Sequence, residues 1–172
     1  MGHGYGGRGR LGSIALLAVA AALIVRPWEG GAGAEGPRTA RAYVVRAIDG
    51  DTIEARIDGE LEDVRYIGVD TPETVKPGTP VQCFGPRASA FNHRLVEGRR
   101  VRLVFGVERR DAYGRLLAYA YVDRHLVNAT LVRRGLARTL TIPPNDRLAT
   151  LFRRLELRAA RAGRGLWGAC PG

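Results

Sequence analysis

Cysteine and histidine are nearly absent from this sequence, with two and three residues respectively in a chain of 172. Cys83 and Cys170 alone cannot complete a structural zinc site, and His93 and His125 lack metal-ligand spacing while His3 lies in the N-terminal region. The histidines therefore read as structural or incidental. No Cys/His pair stands at catalytic spacing, and neither a Walker loop nor a dinucleotide-binding fingerprint occurs, which excludes thiol hydrolases, P-loop enzymes and Rossmann-type oxidoreductases. Acidic side chains are also in deficit: 17 Asp and Glu face 27 Lys and Arg, a formal charge of +10. Such an excess favours polyanionic partners, nucleic acid or an anionic membrane surface. A hydrophobic content of 45% with 26% charged residues is ordinary for one globular domain that buries a core.

A run long enough to cross a bilayer comfortably is missing as well. The apolar stretch at residues 11–25 is short, but Arg8 and Arg10 precede it and the small-residue stretch Gly31-Ala32-Gly33-Ala34 follows, the order of an export signal. Residues 1–34 are thus expected to be a signal peptide cleaved after about Ala34, or an uncleaved membrane anchor, with 35–40 a linker and 41–172 the functional domain. The protein is expected to be secreted or extracytoplasmic. In an oxidising compartment the even pair of cysteines predicts a Cys83–Cys170 disulfide.

From residue 41 the chain breaks into short β-rich runs at 42–48, 52–57 and 61–69, separated by Asp49-Gly50 and Asp58-Gly59, dipeptides that signal hairpins. A Pro- and Gly-rich loop, 71–83, precedes a helix predicted over 86–97 from Ala88, Phe91 and Leu95, with Gly98 as its stop. Strands at 100–105 and 116–122 enclose a charged loop, 108–115. Asn128 is placed to cap a second helix ending before Gly135, and Asp146 a third with Leu148, Leu151, Phe152, Leu155 and Ala159 as its apolar stripe. Five short strands with a helix between the third and fourth predict an α+β chain dominated by β, a five-stranded Greek-key barrel of the oligonucleotide-binding type carrying three helices.

Four clusters carry candidate chemistry: Asp49-Gly50-Asp51-Thr52, Arg65, Asp70-Thr71-Pro72-Glu73-Thr74, and Asp111-Ala112-Tyr113-Gly114-Arg115. Singly, each has an ordinary explanation as a turn or a surface arginine. The first is not an EF-hand, because Ile53 and Ala55 cannot ligate and Glu54 stands where that loop needs Gly. Together they supply what metal-assisted phosphodiester hydrolysis requires. Asp51 and Asp70, with a backbone carbonyl near Thr71, offer hard oxygen ligands for calcium or magnesium. Glu73 supplies a base for water, and Arg65 and Arg115 supply bidentate guanidiniums for charge on the transition state.

The ordered series Asp-Gly-Asp-Thr, an arginine thirteen residues later, Val-Asp-Thr-Pro-Glu-Thr, Gly-Pro-Arg-Ala-Ser-Ala-Phe, Asp-Ala-Tyr-Gly-Arg and Leu-Val-Arg-Arg-Gly-Leu-Ala closely resembles the thermonuclease (staphylococcal nuclease-like) family over residues 41–167. The resemblance implies calcium-dependent cleavage of DNA and RNA to products with 3′-phosphates. A monomer with no obligate protein partner is expected. It implies calcium ligands at Asp51, Asp70 and the Thr71 carbonyl, a general base at Glu73, a phosphate-binding pair in Arg65 and Arg115, and a terminal-phosphate contact at Tyr113.

Some positions depart from the staphylococcal pattern. Ala112 replaces a lysine that grips the terminal phosphate, and Leu140 and Ile142 replace tyrosines that flank the base. Stacking of that kind contributes about 1 to 3 kcal/mol per base, so weaker substrate binding is expected without loss of the chemistry. Pro144 falls where the family has a cis proline. The competing readings are a barrel that binds nucleic acid without cutting it and a secreted structural domain that is merely basic. The first gains nothing from acids beside a phosphate path, and the second leaves the acid and arginine spacing unexplained.

Overall fold

The computed structural model describes residues 1–2, 38–75 and 77–170. The export segment expected at 1–34 lies outside the described residues beyond its first two, as does most of the linker. The chain divides into two units, and the second, Glu35–Gly172, carries the architecture that follows.

Five long strands close into a barrel. β1 (Thr39–Ala47), β2 (Thr52–Ile57) and β3 (Glu60–Tyr66) form an antiparallel meander, in which Asp58 and Gly59, both with positive φ, make the two-residue turn expected for Asp-Gly. A two-residue strand, β4 (Val69–Asp70), and helix α1 (Gly85–Val96) follow. β5 (Arg100–Arg110) then pairs with β1 on one side and with β6 (Leu116–Val122) on the other. Closure comes from a parallel seam, in which Val64, Arg65 and Tyr66 of β3 lie against Leu116, Leu117 and Ala118 of β6. Alternation fills the barrel: Val44, Ile53, Ala55, Val64, Leu103, Ala118 and Ala120 are wholly buried. Each fully buried Val or Leu contributes about 1.5 to 3 kcal/mol.

Short elements complete the chain: β7 (His125–Leu126), α2 (Val127–Arg133), β8 (Arg138–Thr139), α3 (Ala149–Arg161) and the single-turn α4 (Leu166–Ala169). The apolar stripe of α3 is as expected, with Phe152 and Ala159 buried and Leu148, Leu151 and Leu155 packed on the core. The Cys83–Cys170 disulfide forms, with 5.8 Å between the Cα atoms, and the Pro143–Pro144 bond is cis.

Two expected caps are corrected. Asn128 lies inside α2 and is wholly buried, its side chain accepting from the Ala120 N–H and donating to the Ile67 carbonyl. The open backbone groups beside the end of β3 claim the amide that a helix terminus would otherwise use. Asp146 contributes its main-chain carbonyl, to Ala149 N–H, and α3 starts after Leu148 with no side-chain cap. The third strand also stops earlier than expected. Gly68, at φ 80, breaks it, and a Cβ there would lie 2.5 Å from the Phe152 ring.

Candidate active site

The loop joining β1 to β2 is shaped by Asp49, whose Oδ1 accepts from the N–H groups of Asp51 and Thr52. Its Gly50 is required by a close approach, since a Cβ would stand 2.6 Å from Thr71 Oγ1. The loop is anchored from beneath. Buried Asn92 of α1 donates to the Asp49 carbonyl and accepts from the hydroxyl of Tyr66, so the core strand, the helix and the loop form one relay. Burial raises the Tyr66 hydroxyl well above the ordinary phenol value, and it serves as a donor.

Asp51 is a buried carboxylate, 4% exposed. Such a charge is tolerated only with partners. Its Oδ2 accepts from Thr71 N–H at 2.6 Å and Thr71 Oγ1 at 2.9 Å, and its Oδ1 meets Thr52 Oγ1 and Nη1 of Arg65. Arg65 reaches across to Asp70 with its other nitrogen, Nη2 to Oδ1 at 2.8 Å. One guanidinium thus bridges the two carboxylates predicted as metal ligands, placing them on one wall. Burial lowers the Arg65 pKa, an effect that the charges of Asp70 and Asp49 oppose and that of Arg115 reinforces. Asp49 is shifted the other way, raised by burial and partly restored by Arg65.

Asp70 leaves the barrel on β4, which pairs with β8 so that Asp70 faces Arg138. β8 is itself held by α3, where Glu156 accepts from Thr139 N–H and Oγ1. Glu73 follows on a loop clamped by Gln82, whose side chain accepts from Glu73 N–H and whose N–H donates to the Glu73 carbonyl. The Glu73 carboxylate is oriented by the N–H groups of Thr74 and Val75, both to Oε1 at 2.8 Å. Arg115 enters β6 beside the parallel seam. Its Nε and Nη2 both reach Asp111 Oδ2 at 2.7 Å, and its guanidinium lies 5.3 Å from the Tyr113 ring.

Asp51, Arg65, Asp70, Thr71, Glu73, Tyr113 and Arg115, the residues predicted for catalysis, metal and substrate, line one open cavity of about 480 Å³. Tyr113 stands at the rim, 85% exposed. A second cavity of 360 Å³ adjoins it, sharing Arg65, Tyr113 and Arg115, and its far wall holds Leu140 and Ile142. Among the described residues no group of three or more His, Cys, Asp or Glu side chains is placed to hold a metal. The predicted set draws on only two side chains, and Thr71 turns its N–H and hydroxyl, both donors, toward Asp51. In donor chemistry the two converging carboxylates still fit a hard, oxygen-seeking cation.

Several contributors had no role in the sequence reading. Asp111, in a candidate cluster but without an assigned role, positions Arg115, and its four-residue spacing was a visible signal. Asn92 lies one helical turn after Ala88 on the buried face of α1, and an amide in such a stripe marks a polar relay. Asn145 ties the Glu108 backbone through its N–H and carbonyl, and no sequence signal pointed to it.

Fold and cleft together define a barrel of the oligonucleotide-binding type whose closing seam sets Arg65 and Arg115 beside carboxylates carried by the neighbouring loops, a site suited to phosphate chemistry. The chain belongs to the family described as staphylococcal nuclease homologue, which residues 63–169 match. It is 40% identical to a thermonuclease of Staphylococcus intermedius over 159 residues, 90% of this chain and 95% of that one. A thermonuclease of Staphylococcus hyicus is 41% identical over 124 residues, 72% of this chain and 73% of the relative. The endonuclease YncB of Bacillus subtilis (strain 168) is 46% identical over 124 residues, 71% of this chain and 59% of that protein.

Proposed function

We propose that the protein is a calcium-dependent phosphodiesterase that cleaves DNA and RNA to products with 3′-phosphates, using Glu73 as base and Arg65 and Arg115 as the phosphate clamp. Its family and its relatives' names make it a nuclease, a hydrolase acting on nucleic acid. The observation that carries the finer reading is the bridging of Asp51 and Asp70 by Arg65 in the cavity that also holds Glu73 and Arg115.

Asp51, Asp70 and the Thr71 carbonyl would hold the cation, which when bound supplies a Lewis acid for a phosphate oxygen. The remaining work falls to the chain. Glu73 takes a proton from a water as its oxygen bonds to phosphorus, and the bond to the 5′-oxygen breaks, that oxygen leaving as the alcohol after protonation from solvent. Arg65, fixed by burial, and Arg115, fixed by Asp111, present planar donors to the charge that develops on the phosphoryl oxygens. Leu140 and Ile142 offer the base an aliphatic wall, which supports weaker ground-state binding than aromatic stacking provides. Export rests on residues 1–34 of the sequence alone.

The test is digestion of plasmid DNA and of an RNA oligonucleotide with calcium and then with a chelator, followed by mass analysis of the ends. Calcium-dependent products bearing 3′-phosphates are expected. A gel shift without digestion would select a binding module.

A further inference from the structure

Away from the cleft, one face of α1 and the end of α2 enclose a groove of about 570 Å³ lined by Phe84, Arg87, Phe91, Arg94 and Arg134. No acidic side chain lines it. All three arginines are exposed, and among the described residues none of them has an ion-pair partner. Two sit over aromatic rings, the Arg87 guanidinium carbon 5.4 Å from the centroid of Phe84 and that of Arg134 4.9 Å from the centroid of Phe91. Arg46, Arg99 and Arg110, by contrast, are each held by a carboxylate, of Glu54, Asp123 and Glu62 respectively. The groove concentrates unneutralised guanidinium charge beside half-buried rings, where an anion and a planar group find partners together.

The groove begins where α1 meets the catalytic loop. Phe84 directly follows Cys83, the end of the loop that carries Glu73, and Gly85 abuts that loop so closely that a Cβ would lie 2.9 Å from the carbonyl oxygens of Pro72 and Glu73. Arg87 and Arg94 are two helical turns apart on the same face, about 10 Å along the axis. The groove therefore runs outward along α1 from the catalytic loop.

Resting on the nuclease reading, we propose that this groove is an extended-substrate site, holding the phosphates of a single-stranded segment beyond the nucleotides in the cleft, with unstacked bases set against the guanidiniums that cover Phe84 and Phe91. The paired preference for charge and stacking is the chemistry of single-stranded nucleic acid. A strand running through both sites makes substrate length a determinant of affinity, while the chemistry at the cleft is unchanged.

The test compares the full chain with the triple variant Arg87→Gln/Arg94→Gln/Arg134→Gln and with the corresponding triple lysine variant. Binding of a labelled phosphorothioate strand of about twenty nucleotides is read by fluorescence anisotropy across a salt series, with calcium and with chelator. With about 0.7 counterions released per contacted phosphate, loss of three contacts lowers the salt slope by about 2. The glutamine variant should bind the long strand about 10- to 100-fold more weakly, with lysine restoring most of the slope. Its kcat and KM on a dinucleotide should stay within about twofold of the unmodified chain. An unchanged salt slope and affinity for the long strand would overturn the proposal, as would an equal loss on the dinucleotide. Loss of binding to phosphatidylserine vesicles with strand binding intact would also overturn it, giving the groove to a membrane surface. If the unmodified chain cleaves neither the dinucleotide nor the same long strand with ordinary phosphodiester links, the nuclease reading fails, and the anisotropy series still decides the groove.

Discussion

The two carboxylates predicted as cation ligands differ in what their removal does. Asp51 is buried, and Asp51→Ala leaves Arg65, among the described residues, with Asp70 as its one carboxylate partner and strands the Thr71 N–H, at about 1 to 3 kcal/mol of stability. Asp70 is exposed, its side chain at 56%, and Asp70→Ala should leave the unfolding midpoint nearly unchanged while weakening calcium binding. Urea unfolding with calorimetric calcium titration separates the two, and equal stability losses would contradict the burial argument. Arg115 is a second case in which type matters more than charge. Arg115→Lys keeps the charge but loses the planar fork that Asp111 orients. If the fork acts mainly in the transition state, kcat should fall about a hundred- to a thousandfold, with KM on a defined oligonucleotide much less affected. A folded lysine variant with near-normal kcat would make Arg115 a general positive charge only.

Elements bring these residues together, and the sequence disclosed them unevenly. The meander was legible because Asp58-Gly59 has one strongly preferred geometry and the strands alternate. The parallel seam between β3 and β6 was not, since it joins residues about fifty positions apart with no local signal, yet it sets Arg65 beside the start of β6 and hence Arg115. The ladder between β4 and β8 is two residues long, too short for a periodicity to register. Buried amides were the third blind spot: Asn128 looked like a cap, and Asn92 like any residue of a helix. Asn92 now makes its own prediction. Asn92→Ala strands the Tyr66 hydroxyl and the Asp49 carbonyl, at about 1 to 3 kcal/mol for each stranded group, and loosens the loop that presents Asp51. Urea unfolding should show the loss. A change under about 0.5 kcal/mol would remove the relay from the account.

For the molecule as a whole, the barrel supplies a rigid frame and the site hangs from its loops, the longest of which ends at the Cys83–Cys170 bridge. With its ends 87 positions apart in sequence, that disulfide should stabilise the fold by about 4 to 5 kcal/mol in the chain-entropy model, so Cys83→Ser/Cys170→Ser should unfold at markedly lower urea, and an unshifted midpoint would contradict the model. The site residues were legible as motifs because their chemistry dictates their types. Their convergence in one cavity was not, because only closure of the barrel produces it. The account stands on Glu73 acting on water inside that cavity, and single-turnover cleavage of a defined oligonucleotide at saturating calcium by Glu73→Gln tests it most directly. A rate lowered about 10²- to 10⁴-fold, with oligonucleotide affinity and unfolding midpoint retained, is the expected result. A folded Glu73→Gln protein that cleaves at the unmodified rate would contradict it.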